Sequence, residues 1–299
     1  MNNIRNIIDD NNLEVKKYID NGNTKIIDTS KGKFLLKKNN TNIEELYNYL
    51  VAKRYDNYIK PFSINNNYII YPFIPDFSKN NDDKGVSIIY LTSLLHNKTT
   101  FYKSFTIDEK KKIYEEKIQE LNDLNSYYDK LRIEIEEEKY PSPSKYLLLN
   151  NITVIYNSLD NSNYFVKKWY KAVETLESRR LSLIHGNLDV SHLIENSNSY
   201  LISWDKSYFD MPIIDIYNFF KNSHKILDIN SLLDKYLLKY PLFEDEKYLL
   251  FSKLLTPSKI DFKSQEILNT REVTNMLNYL NKVSTLVSKH YSKETEHKT

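Results

Sequence analysis

The chain has 299 residues, 42 Lys or Arg against 40 Asp or Glu for a formal net charge of +2, 25 Tyr, four Gly and no Cys. The missing Cys excludes thiolate nucleophiles, disulfides, iron–sulfur clusters and Cys-based zinc sites, and the balanced charge gives no reason to expect nucleic acid as a partner. Average usage of about 7% would give about twenty glycines, so glycine-rich phosphate cradles are not to be expected, although the length suffices for one large or two medium domains.

The elements follow in chain order. Leu13 to Ile19, Thr24 to Asp28 and Lys33 to Lys37 read as three short strands separated by Asn21-Gly22-Asn23 and Ser30-Lys31-Gly32, both good turn chemistry. Ile43, Leu46, Tyr47, Leu50 and Val51 then recur at helical spacing, which leaves Glu44, Glu45, Lys53 and Arg54 largely off the apolar stripe. Asn67 to Phe73 returns to strand character, and Asp76 to Gly85 reads as an exposed polar connection. Ser87 to His96 is the next helix. Thr106 to Glu109 is a capping-box pattern leading a stripe of Ile113, Ile118, Leu121, Leu124, Tyr128 and Leu131. Ser142-Pro143 supplies an N-cap and N1 proline, and a further helix runs through Trp169 and Leu176. Leu181 to Ile184 leads into a loop, Tyr200 to Trp204 reads as a short strand, and Ile213 to Lys289 as three or four amphipathic helices ahead of a frayed polar tail.

This order predicts an α+β chain, with residues 1–75 as a small β-rich nucleotide-type lobe and 76–299 as a larger helical lobe. Clefts between such parts bind ligands. No stretch approaches the ~18–20 apolar residues of a membrane span, and the first residues lack a signal-peptide pattern. A cytoplasmic protein with no membrane span is the expectation.

His185-Gly186-Asn187-Leu188-Asp189-Val190-Ser191-His192 is the most informative segment, followed by Ile202-Ser203-Trp204-Asp205 and by Asp210-Met211-Pro212 ahead of Asp215. Together these resemble the aminoglycoside-phosphotransferase and choline-kinase branch of the protein-kinase-like fold, and within it the bacterial spore-coat kinase-like proteins. That branch carries an HGDxxxxN loop, an Ile-Asp-Trp or Ile-Asp-Phe strand after it, and a downstream Asp-x-Pro…Asp-Leu element. The resemblance covers nearly the whole chain. It implies a two-lobed fold, ATP with Mg²⁺ or Mn²⁺, and Lys37 on the nucleotide phosphates with Glu44 or Glu45 as its carboxylate partner. It also implies structural roles for His185, Gly186 and Asp215, the last as a tether of the loop. Association with a spore coat is the alternative to the cytoplasm.

Three reactive positions of the branch are changed. The loop Asp that takes up or orients the hydroxyl proton is matched by Asn187, whose amide has no basic site near neutral pH. The metal-holding loop Asn is matched by His192, a poor ligand for hard Mg²⁺. The strand Asp that anchors Mg²⁺ is matched by Ser203. Phosphoryl transfer depends on positioning and on neutralising charge. The expectation is therefore a pseudokinase acting as a scaffold, interaction or nucleotide-sensing protein, with a protein or small polar ligand as partner and no resident metal. The alternative is an active small-molecule phosphotransferase with Asp205 on a metal and Asp189 as base. In an extended strand Asp205 would face the same side as Ser203.

Overall fold

The computed structural model describes residues 7–21, 24–39, 43–77, 80–263 and 265–296. Strands β1 (Val15–Asn21), β2 (Thr24–Thr29) and β3 (Gly32–Lys38) pair antiparallel in sequence order. Gly32 turns the second hairpin at φ +117°, a region side chains avoid. The first turn, at Gly22 and Asn23, lies outside the described residues. β5 (Tyr68–Pro72) adds to β3, and a two-residue β4 (Ser63–Ile64), with no signal of its own in the sequence, completes the order β1-β2-β3-β5-β4.

Alternation gives this sheet two faces. Ile27, Phe34, Leu36 and Ile70 form a core with Ile7 and Leu13. Residues directly opposite in an antiparallel pair share a face, so Leu35 with Tyr71 and Lys37 with Ile69 point to the other side. Helix α1 (Ile43–Ala52) buries Ile43, Tyr47 and Leu50.

The chain divides by compactness into a unit of Met1–Thr99 with Ser182–Phe209 and a unit of Thr100–Leu181 with Asp210–Thr299. The single boundary expected after residue 75 falls inside the first unit. The reason is helix α2 (Asn81–Thr99), which packs on the 190–201 segment. It begins ahead of the expected Ser87 because the Asn80 side chain accepts the Asp83 N–H at 2.8 Å. Gly85, expected in an exposed connection, is buried within that helix. The first unit closes with the hairpin β8 (Leu193–Glu195) and β9 (Ser199–Leu201).

In the second unit α3 (Ile107–Glu137) carries the expected capping box: Thr106 Oγ1 accepts the Glu109 N–H at 3.2 Å, and Glu109 accepts the Thr106 N–H at 3.0 Å. Leu121, Leu124, Tyr128 and Leu131 are its buried stripe. Helices α4 (Pro143–Asn150) and α5 (Ile152–Val173) follow, α5 ending short of the expected Leu176, whose N–H turns back to the Val173 carbonyl at 3.0 Å. The exposed strand β6 (Phe101–Ser104), unforeseen in the sequence, pairs with the start of β7 (Ser178–Ile184). After β10 (Tyr208–Asp210) come α6 (Ile213–Ser223), α7 (Ile229–Lys239), α8 (Glu244–Leu254) and α9 (Glu266–Glu296), the larger of the two expected numbers, three or four. Small residues let α5 and α8 approach, with Ser162 Oγ donating to the Ser252 carbonyl at 2.7 Å. Helix α9 continues into the segment expected to fray, and residues 297–299 lie outside the described residues. Among the described residues no helix is long and apolar enough to cross a membrane.

Candidate functional site

The second face of the sheet covers a cavity of about 420 Å³, within the first unit. Its walls are mainly apolar, including Leu35, Ile69, Phe73, Ile74 and Leu201. Strand alternation brings Lys37 to this face, and its Nζ lies 2.7 Å from Asp205 Oδ1. The two side chains are 29% and 38% exposed. Burial works to raise the Asp205 carboxyl, but the hydrogen bond and charge of Lys37 outweigh it and hold the group below its ordinary value. Asp205 is therefore ionised at neutral pH and already matched by a cation.

Tyr47 and Tyr71 line the same cavity, with hydroxyls 2.9 Å apart. Burial pushes both phenols up, and the nearby Asp205 charge adds to this, so both stay neutral. Tyr47 occupies the inward face of α1. Glu44 and Glu45 sit off that face and are exposed, and Lys37 is paired with Asp205 instead of a helix carboxylate. Sequence reasoning missed both tyrosines as site residues. The signal for Tyr47 was present, since the apolar period of α1 turns it inward and both glutamates outward.

Asp205 reaches Lys37 by a turn, not along a strand. β9 ends at Leu201, Ser203 adopts the left-handed conformation (φ 67°, ψ 49°), and Trp204–Lys206 form a 3-10 turn. The expectation that Ser203 and Asp205 share one face of an extended strand is thus corrected: a left-handed residue breaks the alternation. Asp and Asn enter that conformation more readily than Ser, so the backbone here suits a carboxylate residue while the side chain is a hydroxyl.

The turn is anchored by residues of the 185–187 loop. Gly186 has φ +73°, and a Cβ on it would lie 2.1 Å from the Lys206 carbonyl oxygen. Only glycine lets the two segments meet. Fully buried His185 donates from Nε2 to the Ile202 carbonyl at 2.9 Å, and its Nδ1 accepts the Asn187 N–H at 3.3 Å. Both bonds are satisfied by one neutral tautomer. Its ring also meets Trp204 edge-on at 4.6 Å.

The remaining loop side chains are committed locally. Asp189 caps the 3-10 turn Val190–His192, accepting from Ser191 N at 2.8 Å and Ser191 Oγ at 2.6 Å. Burial works against its charge, but these two bonds outweigh it and keep the carboxyl low. His192 donates from Nδ1 to the Asn187 carbonyl at 2.6 Å. Asp215 is fully buried in the first turn of α6, in the second unit.

Mg²⁺ at a phosphate site takes one or two protein carboxylates beside the phosphates and waters. Among the described residues the one carboxylate lining the cavity, Asp205, is already paired with Lys37. The donor set does not fit a Mg²⁺–phosphate site, and no catalytic step is assigned through one.

No family model and no curated protein matches the sequence. Among solved structures the chain is similar to an aminoglycoside phosphotransferase from Alicyclobacillus acidocaldarius, with a TM-score of 0.64 at 11% identity over 95% of this chain and 93% of that one. It is also similar to a spectinomycin phosphotransferase in its AMP-bound complex, with a TM-score of 0.52 at 17% identity over 97% and 94% of the two chains. At such identities the likeness shows the fold: the chain has the kinase-like fold of the aminoglycoside phosphotransferases, in the expected α+β class.

Proposed function

We propose that this chain is a catalytically silent member of the kinase-like fold, a pseudokinase whose cavity serves ligand sensing or scaffolding. One observation carries the reading: among the described residues the single cavity carboxylate, Asp205, is spent on Lys37. Phosphoryl transfer in this type of fold asks for two acidic groups, one to hold the phosphate-binding lysine and one to hold the metal. Here α1 turns Tyr47 inward where a carboxylate would be needed, and position 203 is a serine. If Asp205 moved to a metal, Lys37 would lose its partner. If it stayed, the metal would have no anchor. Asn187 adds the loss of a base, an effect of about 10²–10⁴ in rate.

The alternative, an active phosphotransferase using Asp189 and Asp205, draws support from Asp205 facing the cavity. Against it, the Asp189 carboxylate is taken up by Ser191. The test is consumption of ATP by purified protein with Mg²⁺ or Mn²⁺, alone and with aminoglycosides, spectinomycin and amino alcohols as acceptors. The expected result is no protein-dependent turnover. Metal-dependent turnover abolished by Asp205→Ala would establish the alternative.

A further inference from the structure

The second unit holds a cavity of its own, of about 480 Å³. Ile113 and Lys117 of α3, Asp210 at the end of β10, Ile214 of α6 and Lys253 of α8 are among its walls. Helix α8 is buried nearly all round, and Lys253 is the one charge in the run Tyr248 to Leu255. A lysine in such surroundings ordinarily carries a partner. Neighbouring Lys117 follows that rule: it is 8% exposed and donates to Glu120 at 2.8 Å and to Thr256. Lys253 does not. Among the described residues its side chain makes no hydrogen bond or ion pair, and its Nζ lies 5.7 Å from the centre of the Tyr217 ring. The charges that face it are Glu116, Lys117 and Glu120 of α3, Asp210, and Lys221 of α6. Arg179, on the same wall, is held by Glu109 at 3.0 Å. Burial, the largest influence, lowers the pKa of Lys253 and Lys221 adds to this, while Glu120, Asp210 and Glu116 offset it in part.

We propose that Lys253 is a nucleophilic amine that captures a small uncharged aldehyde in this cavity as a Schiff base. A lysine without an ion-pair partner, desolvated and set beside other cations, is an activated nucleophile. Nζ bonds to the carbonyl carbon, whose oxygen takes up the two amine protons and leaves as water, so that C=N replaces C=O. The neighbouring carboxylates then face a protonated imine in place of the ammonium. Four carboxylates and four cations line the cavity, which asks for no charge on the ligand. The proposal concerns the second unit and holds whether or not the cavity at Lys37 is silent.

The test treats the full wild-type chain with substoichiometric propionaldehyde, reduces the imines with borohydride and quantifies each alkylated lysine by mass spectrometry of the digest. An ordinary lysine is neutral in only about one molecule in 10³ at about pH 7. Lys253 is therefore expected to carry at least about tenfold more label there than Lys111, whose side chain is 59% exposed. Its labelling should level off as the pH is raised towards about 10, while that of Lys111 keeps climbing. Labelling of Lys253 no greater than that of Lys111, or with the same pH profile, overturns the proposal. Preferential acylation of Lys253 by acetic anhydride with no preference for the aldehyde also overturns it, since the amine would then be reactive without a place for the carbonyl ligand. The wild-type chain decides the matter, so no variant has to fold.

Discussion

Arg180–Glu246 and Lys37–Asp205 are both close cation–carboxylate pairs, yet they do opposite work in the two units. Arg180 and Glu246 are 10% and 5% exposed and joined by two hydrogen bonds, the Nε–Oε1 one at 2.9 Å. The guanidinium also sits 4.3 Å from the ring centres of Tyr240 and Phe243. The two charges are buried and spent on each other, while the Phe243 ring covers the guanidinium from a half-exposed position. Lys37 and Asp205 are several times more exposed, monodentate and set at a cavity wall. A pair of that kind contributes little to stability, with a ceiling near 1 kcal/mol. Its consequence under the proposed function is chemical: it takes up the charges that phosphoryl transfer would draw on. Burial, more than distance, decides whether an ion pair builds the fold or tunes a site.

Breaking the buried pair should produce the largest effect. Arg180→Ala leaves Glu246 uncompensated and is expected to cost about 3–5 kcal/mol in chemical denaturation. A loss within the range of a surface pair would mean that solvent reaches the cluster. Next comes Gly186→Ala, which meets both a positive φ and the Lys206 carbonyl. About 1–3 kcal/mol of strain is expected, together with loss of ligand affinity, since the turn carrying Asp205 has to shift. An unchanged Tm and unchanged binding would show that the loop and turn are not in close contact.

The comparison sharpens further with Asp245, a carboxylate beside the buried pair. Burial first and the adjacent Glu246 second push it up to about 6 from an ordinary value of 3.8. Its folded form holds the proton more tightly than the unfolded chain, so stability falls as pH rises between those two values. Asp245→Asn should raise Tm at about pH 8 and leave it unchanged at about pH 3. Asp205 behaves in the reverse sense. Its carboxyl is depressed in the folded chain, so the stability it adds is present above 3.8 and lost as pH falls through its folded value. Asp205→Asn is expected to change stability at neutral pH by less than about 1 kcal/mol, the smallest effect of the series. A loss of several kcal/mol would mean that the pair is structural after all.

What the sequence could show and what it could not differ in physical range. The three hairpin strands, the α1 period and the Thr106–Glu109 box are signalled by residues a few positions apart, so they were legible. So was the kinase-like order of elements around His185 and Asp215. β6 was not legible, because its four residues are all exposed and carry no alternation, and its partner strand begins at Ser178. Gly85 misled the reading because a glycine in a polar run usually marks a turn, whereas here Asn80 starts a helix before it. The left-handed Ser203 has no local signal, since Ser enters that conformation only when the surroundings impose it. The Lys37–Asp205 pair joins residues 168 positions apart, a separation no pattern rule spans. The missing helix carboxylate, by contrast, could have been read from the off-stripe placement of Glu44 and Glu45.

The central claim, that Asp205 holds the lysine and not a metal, is tested most directly by titrating Mn²⁺ and following the free-ion EPR signal. The measurement is made with wild-type protein and with Asp205→Ala, each in the absence and presence of ATP. The expected result is no uptake of Mn²⁺ beyond what ATP takes up by itself, and no difference between the two proteins. A saturable Mn²⁺ site in the wild-type chain that disappears in Asp205→Ala would contradict it.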